Sequence, residues 1–369
     1  MNVNINELSF EARLGQLFVI GIPGTEIDEE TGSMLSEIQP GGVCLFSRNI
    51  RTAQQTRDLL DSIRGRLPVV PVLALDQEGG TVDRLRRIVT PLAAANRVRS
   101  SDEAARMGSL IGETISILGF NMDFAPVVDV VDSDRSNTSN GLFSRPFGHN
   151  KDEAVEFAGE FLFSLQRSGP LGCLKHFPGL GAARVDSHEE LPTINVDREE
   201  FQATDLFPYQ ELIASGQVHG IMAAHAAYPK LDLQERGQNG KLLPSSLSKN
   251  IITNLLRGEL GFEGLVITDD LEMGAIIKNL GIGEAAILAT LAGADMLAIC
   301  AGPESIRTAF ASVKDAVRTG RISESVVEEH ILRIAQTKSM LADARPFDAV
   351  KIADLSSKIE DFNACLDAI

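Results

Sequence analysis

The chain has 369 residues, of which 44% are hydrophobic and 23% charged, and a formal net charge of −17 at pH 7. That profile is an ordinary globular one, long enough for one α/β barrel. So acidic a balance excludes nucleic acid, which needs a basic footprint, and disfavours anionic membrane surfaces, although a local cationic pocket remains possible.

No run of about 18 apolar residues occurs, so nothing is expected to span a bilayer. The N-terminal stretch "MNVNINELSFEARLGQLF" has no basic segment ahead of an apolar core, so no secretory leader is expected either. Cys44, Cys173, Cys300 and Cys365 are scattered, with neither zinc-ligand nor disulfide spacing. They read as free thiols in a reducing, cytoplasmic compartment. The chain has no Trp and only 2 Tyr, so a long polysaccharide would find few aromatic faces to stack on. A sugar site here would be small and governed by hydrogen bonds.

In chain order the strand candidates are 14–22, 41–47, 69–76 and 121–130, then 170–177, 220–228, 264–270 and 294–300. Each is apolar nearly throughout rather than alternating, as in strands buried on both faces of a parallel sheet. Helical patterns lie between them at 52–64, 102–118, 151–167, 200–215 and 246–259. Ser101-Asp102 signals one start, and Pro303-Glu304 opens another at 303–319. Eight strands with intervening helices and no Ser/Pro-rich linker predict a single (β/α)8 TIM barrel over 1–345, with a short C-terminal helical tail over 346–369 packed on or near it. A doubly wound sheet is the structural alternative, with fewer strands.

In such a barrel, catalytic groups lie at the C-terminal ends of the strands. Read in order, those ends carry Asp76, Asp129, Lys175-His176, His225 and Asp269-Asp270. The stretch "KHFPGLGAARVDSHEELP" adds Asp186 and His188, two residues apart after a glycine turn. Metal chemistry fits poorly, because no histidine ends the first strand and no H-E-x-x-H helix exists. "GLGAAR" lacks the third glycine of a dinucleotide loop. Acid/base work on a glycoside fits better, since it needs a fixed carboxylate and a proton donor across the scissile bond. Asp269 can supply the first and His188 the second, with Asp186 holding one imidazole nitrogen. From spacing alone, "DSH" reads rather as an Asx-type turn or helix cap.

"LALDQEGGTVDRL", "KHFPGLGAARVDSH", "MAAHAAYP" and "VITDDLEM" together resemble the family 3 glycoside hydrolases, and more narrowly the single-domain bacterial β-N-acetylglucosaminidases of peptidoglycan recycling. The similarity runs in order over roughly residues 10–340. It implies a retaining mechanism with Asp269 as nucleophile, His188 as acid/base and Asp186 as its assistant. Asp270 is then a supporting carboxylate. The resemblance further implies that Asp76, Arg84, Lys175, His176 and Arg145 of "SRPFG" bind the sugar. His225 is expected either on the sugar or inside a barrel layer, and Met273 beneath the site. Asp129 and Asp132 read as loop caps, and His149, His219 and His330 as structural or solvated. Two positions depart from the family pattern. Leu180 stands where P-G-H-G has its histidine, and Thr81 where an arginine often follows D-Q-E-G-G.

The expectation is thus a cytoplasmic exo-acting glycosidase with no cofactor or metal, taking a small GlcNAc-containing disaccharide or muropeptide and no nucleic acid or membrane partner. A monomer is the expected state. Phosphorolysis by the same Asp/His pair and a non-catalytic sugar-binding barrel stay open as alternatives.

Overall fold

The computed structural model describes residues 5–136, 142, 144–184, 190–237, 240–278 and 280–368. Eight parallel strands form the centre: β1 Phe18–Gly21, β2 Gly42–Cys44, β3 Val72–Leu75, β4 Met122–Asp123, β5 Leu171–Phe177, β6 Gly220–Ala223, β7 Leu265–Thr268 and β8 Leu297–Ile299. They pair in the order β8-β1-β2-β3-β4-β5-β6-β7. The two ends of that order meet at a parallel bridge, Ile267 to Met296, where the Thr268 amide donates to the Met296 carbonyl at 3.0 Å. The sheet thereby forms a nearly closed barrel. Every strand residue is buried, which is why the runs show no alternation: the inner face fills the barrel and the outer face carries helices.

All eight expected strands are present with shorter bounds. The fourth departs most, from 121–130 to Met122–Asp123. Pro126 has no N–H to give the ladder, and pairing resumes only at the Val127–Lys175 bridge. A short hairpin, Gln77–Gly79 with Val82–Asp83, follows β3 and was not anticipated.

The helices start where side chains can cap them. Thr52, Ser100 and Asn150 accept from first-turn amides of Ala53–Arg66, Ser101–Leu118 and Lys151–Arg167. Ile282–Ala292 is a helix outside the expected patterns. Its sequence, IGEAAILATLA, is apolar almost all round, so it has no polar stripe to mark its period. The tail is one long helix, Ala349–Asp367, capped by Asp348. No helix among the described residues is long and apolar enough to cross a membrane.

A buried charge cluster supports the closure. Asp295, fully buried, accepts from Arg257 at 2.7 Å, Arg333 at 2.7 Å, His330 at 2.9 Å and the Val266 amide at 2.9 Å. His330 is therefore structural. On the other side of β8, Gly21 lets the strands touch: a Cβ there would lie 2.1 Å from the Cys300 carbonyl oxygen. Gly21→Ala should accordingly lower stability by about 1–3 kcal/mol or more, read as a drop in the urea midpoint. An unchanged midpoint would mean that β1 and β8 part without cost.

Candidate active site

A cavity of about 280 Å³ opens at the C-terminal ends of the strands, lined among others by Asp76, Arg84, Arg145, Lys175, His176, Asp269 and Asp270. Its polar side is built around Lys175, near the C-terminal end of β5, with 1% of its side chain exposed. The Nζ donates to Asp76 Oδ1 at 2.7 Å and lies 2.5 Å from Glu78 Oε1. Arg84 reaches the other oxygen of Asp76 at 3.2 Å. Arg145 forks onto both oxygens of Glu78, at 2.8 and 2.9 Å. Three cations and two carboxylates therefore form one chain of contacts across the mouth.

Burial works against the Lys175 charge, but Asp76 and then Glu78 outweigh it and hold the ammonium above its ordinary value. Burial likewise pushes the Asp76 carboxyl up, and Lys175 with Arg84 more than reverse it. Glu78, opposed by burial but held by Arg145 and Lys175, falls to about 2. All these groups are charged at neutral pH. They offer a sugar a fixed array of charge-assisted donors and acceptors. Arg84 Nε is buried without a hydrogen-bond partner among the described residues.

His176 has its tautomer set by its neighbours. Its Nε2 lies 3.2 Å from Arg145 Nη2, which can only donate, so Nε2 accepts. Nδ1 then carries the proton and donates to Asp129 Oδ2 at 2.7 Å. Asp129 also accepts the Leu180 amide at 2.6 Å, so this buried carboxylate orients His176 and anchors the glycine turn after β5. Leu180, departing from the family pattern, is part of the cavity wall. Thr81, the other departure, lies in the exposed turn of the hairpin.

On the facing side, β7 delivers Asp269 and Asp270 to the cavity. The Asp270 amide donates to Asp269 Oδ1 at 2.8 Å. Asp270 in turn accepts the amides of Glu272 at 3.0 Å and Cys300 at 3.3 Å. Burial first, then the charges of Glu272 and Asp269, raise its carboxyl to about 7, against two backbone hydrogen bonds that lower it. Met273 lines the same wall.

His225 differs from the expected substrate contact. Its side chain is buried with 0% exposure, its Nε2 meets the Asp270 carbonyl at 3.0 Å and its Nδ1 the Ser246 hydroxyl at 2.7 Å. Nε2 thus serves the turn that carries Asp269-Asp270, Nδ1 ties the ring to the short helical turn Ser245–Leu247, and the ring is not among the residues lining the cavity.

Asp186 and His188 lie outside the described residues. The chain on either side of them, at Ala183 and Pro192, lines the cavity. Glu78 was missed in the sequence. Its only signal there was its position two residues after Asp76 in "DQEGG", within a segment that alternates faces.

The glycosyl hydrolase family 3 N-terminal domain matches residues 9–337. A β-hexosaminidase of Tolumonas auensis is 33% identical over 287 residues, covering 76% of this chain and 82% of that protein. A β-hexosaminidase of Pseudomonas aeruginosa is 34% identical over 304 residues, covering 80% and 86%. Among solved structures, a glycoside hydrolase family 3 β-N-acetylglucosaminidase from Paenibacillus superposes with a TM-score of 0.85 at 31% identity, covering 96% of this chain and 69% of that one.

The raised Asp270 carboxyl has a pH signature. A folded-state value of about 7 against about 3.9 unfolded means that the folded state binds the proton more tightly. The contribution of Asp270 to stability is full below about pH 4 and is lost as pH rises through about 7. Asp270→Asn should therefore lose less stability than the parent between pH 5 and pH 8 in urea titrations; equal losses would place Asp270 in an ordinary environment. Glu78→Gln removes the anion that holds Arg145, and KM for a sugar substrate should rise about tenfold or more, read by steady-state kinetics.

Proposed function

The chain belongs to glycoside hydrolase family 3, and we propose that it is a retaining exo-β-N-acetylglucosaminidase acting on peptidoglycan-derived muropeptides of the GlcNAc-1,6-anhydro-MurNAc type. The observation that carries this reading is that Asp269 lines one cavity together with Asp76, Arg84, Lys175, His176 and Arg145, the set that would bind the sugar hydroxyls. Its volume of about 280 Å³ lies just below the usual range of ligand pockets, roughly 300 to 1,000 Å³. It accommodates one sugar unit rather than a polysaccharide. The preference for a terminal residue follows from that size, and the muropeptide aglycone from the motif resemblance.

In the proposed reaction the Asp269 carboxylate attacks the anomeric carbon while the glycosidic C–O bond breaks, and the leaving oxygen takes a proton from His188. Water then gives its proton to His188 and attacks the same carbon, releasing Asp269 and restoring the β configuration. Asp186 orients the imidazole. The flanks of the "DSH" segment at the cavity wall support this assignment. Buried free thiols at Cys44, Cys173 and Cys300 fit a reducing compartment such as the cytoplasm.

Turnover of an aryl β-GlcNAc glycoside is expected, and Asp269→Ala should reduce it by roughly 10³-fold or more. A 2- or 5-fluoro sugar should label Asp269 in peptide mapping; a label elsewhere would overturn the nucleophile. In phosphate buffer the product should be GlcNAc, whereas GlcNAc-1-phosphate would replace hydrolysis by phosphorolysis. His188→Ala should slow a disaccharide by about 10²–10⁴-fold and spare activated aryl glycosides, whose leaving groups need little protonation. Equal losses on both would remove His188 from the proton-donor role.

A further inference from the structure

The C-terminal helix Ala349–Asp367 begins beyond residue 337, where the family match ends. It docks through one apolar stripe, Ile352, Leu355, Ile359, Phe362 and Leu366, all buried and spaced alternately three and four residues apart. Beside that stripe, Ser356 and Asn363 share one face and bond to the segment between the hairpin and the helix Ser101–Leu118.

Ser356 Oγ accepts the Thr90 amide at 2.8 Å. Asn363 is used at both ends: its Oδ1 accepts the Ala93 amide at 2.9 Å, and its Nδ2 donates to the Pro91 carbonyl at 2.8 Å. Residues 90–93 are thereby fixed at three backbone points, and they bear directly on the sugar-binding hairpin. The Gly80 amide donates to the Leu92 carbonyl at 2.8 Å, and the Leu92 amide to Asp83 Oδ2 at 2.9 Å. The hairpin packs so closely here that a Cβ on Gly79 would lie 2.3 Å from the Ala93 carbonyl oxygen.

From Asp83 the chain of contacts reaches the cavity in two steps. Asp83 Oδ1 accepts from Gln77 Nε2 at 2.9 Å, and Gln77 Oε1 accepts the Arg84 amide at 2.9 Å. Gln77 lies between Asp76 and Glu78, the two carboxylates that hold Lys175. A second branch runs from the Asn96 amide to the Ser144 carbonyl at 3.3 Å, next to Arg145. Both halves of the polar wall thus lean on a segment that the C-terminal helix holds.

We propose that this helix is a positioning element of the sugar site, with Ser356 and Asn363 as the positioning residues that fix the Asp76–Arg84 hairpin through residues 90–93. The kinetic part of the test rests on the glycosidase reading above; the exchange part does not. Neither residue touches the cavity, so their role is to keep the array of charges in one geometry before a ligand arrives.

The test compares the full-length parent with a Ser356→Ala/Asn363→Ala double variant and with Ser356→Thr, which keeps the hydroxyl. In hydrogen exchange, amides of residues 77–94 should exchange faster in the double variant, with the strands Leu171–Phe177 and Leu265–Thr268 unchanged, and Ser356→Thr should match the parent. KM for an aryl β-GlcNAc glycoside should rise about tenfold with kcat per active site changed less than about twofold. Unchanged exchange over 77–94 would overturn the proposal, and so would a fall in Vmax at unchanged KM, the sign of fewer folded molecules. A parent with no turnover would sink the glycosidase reading and leave the exchange result to decide this one.

Discussion

The buried ammonium of Lys175 is the constraint around which the site is arranged. A lone cation taken from water into a protein interior costs several kcal/mol, so at 1% exposure this one needs compensation. Asp76 and Glu78 supply it, and Arg84 and Arg145 in turn hold those carboxylates. Satisfying one charge thus ties together the end of β3, the end of β5 and the loop around Arg145. The mouth is shaped by the need to neutralise itself, and a ligand meets an array already oriented.

That arrangement concentrates cations where a chain with a net charge of −17 otherwise carries a surplus of anions. The facing wall is built differently. Asp269 and Asp270 lie on a turn held by backbone amides and by the buried His225. Two environments result: one is a chain of paired charges, the other a partly buried pair of neighbouring carboxylates in which burial raises Asp270. His176 belongs to the first, because Arg145 and Asp129 together commit its ring to a single tautomer.

The barrel matched to the family ends before the last helix starts. In this chain the hairpin that carries Glu78 is bonded to Leu92, and the C-terminal helix supplies the side chains that hold residues 90–93. A hairpin of five strand residues has little stability of its own. Its order comes from what is packed behind it.

The sequence by itself determined the eight strands and their order, because continuous apolar runs between helical periods have one economical closure, a barrel buried on both faces. It also put Asp76, Lys175, His176 and Asp269 at or near strand ends, since each stands at or just past the end of an apolar run. Only the tertiary structure decided which acid meets which base. Glu78 and Arg145 are 67 residues apart and His176 and Asp129 are 47 apart, and no local pattern carries such pairings. It also decided that the His225 ring is buried and that the tail reaches back over more than 260 residues to the segment behind the hairpin. Local periodicity records which face of a segment is buried. The identity of what covers that face depends on how the barrel closes, and that is a property of the whole chain.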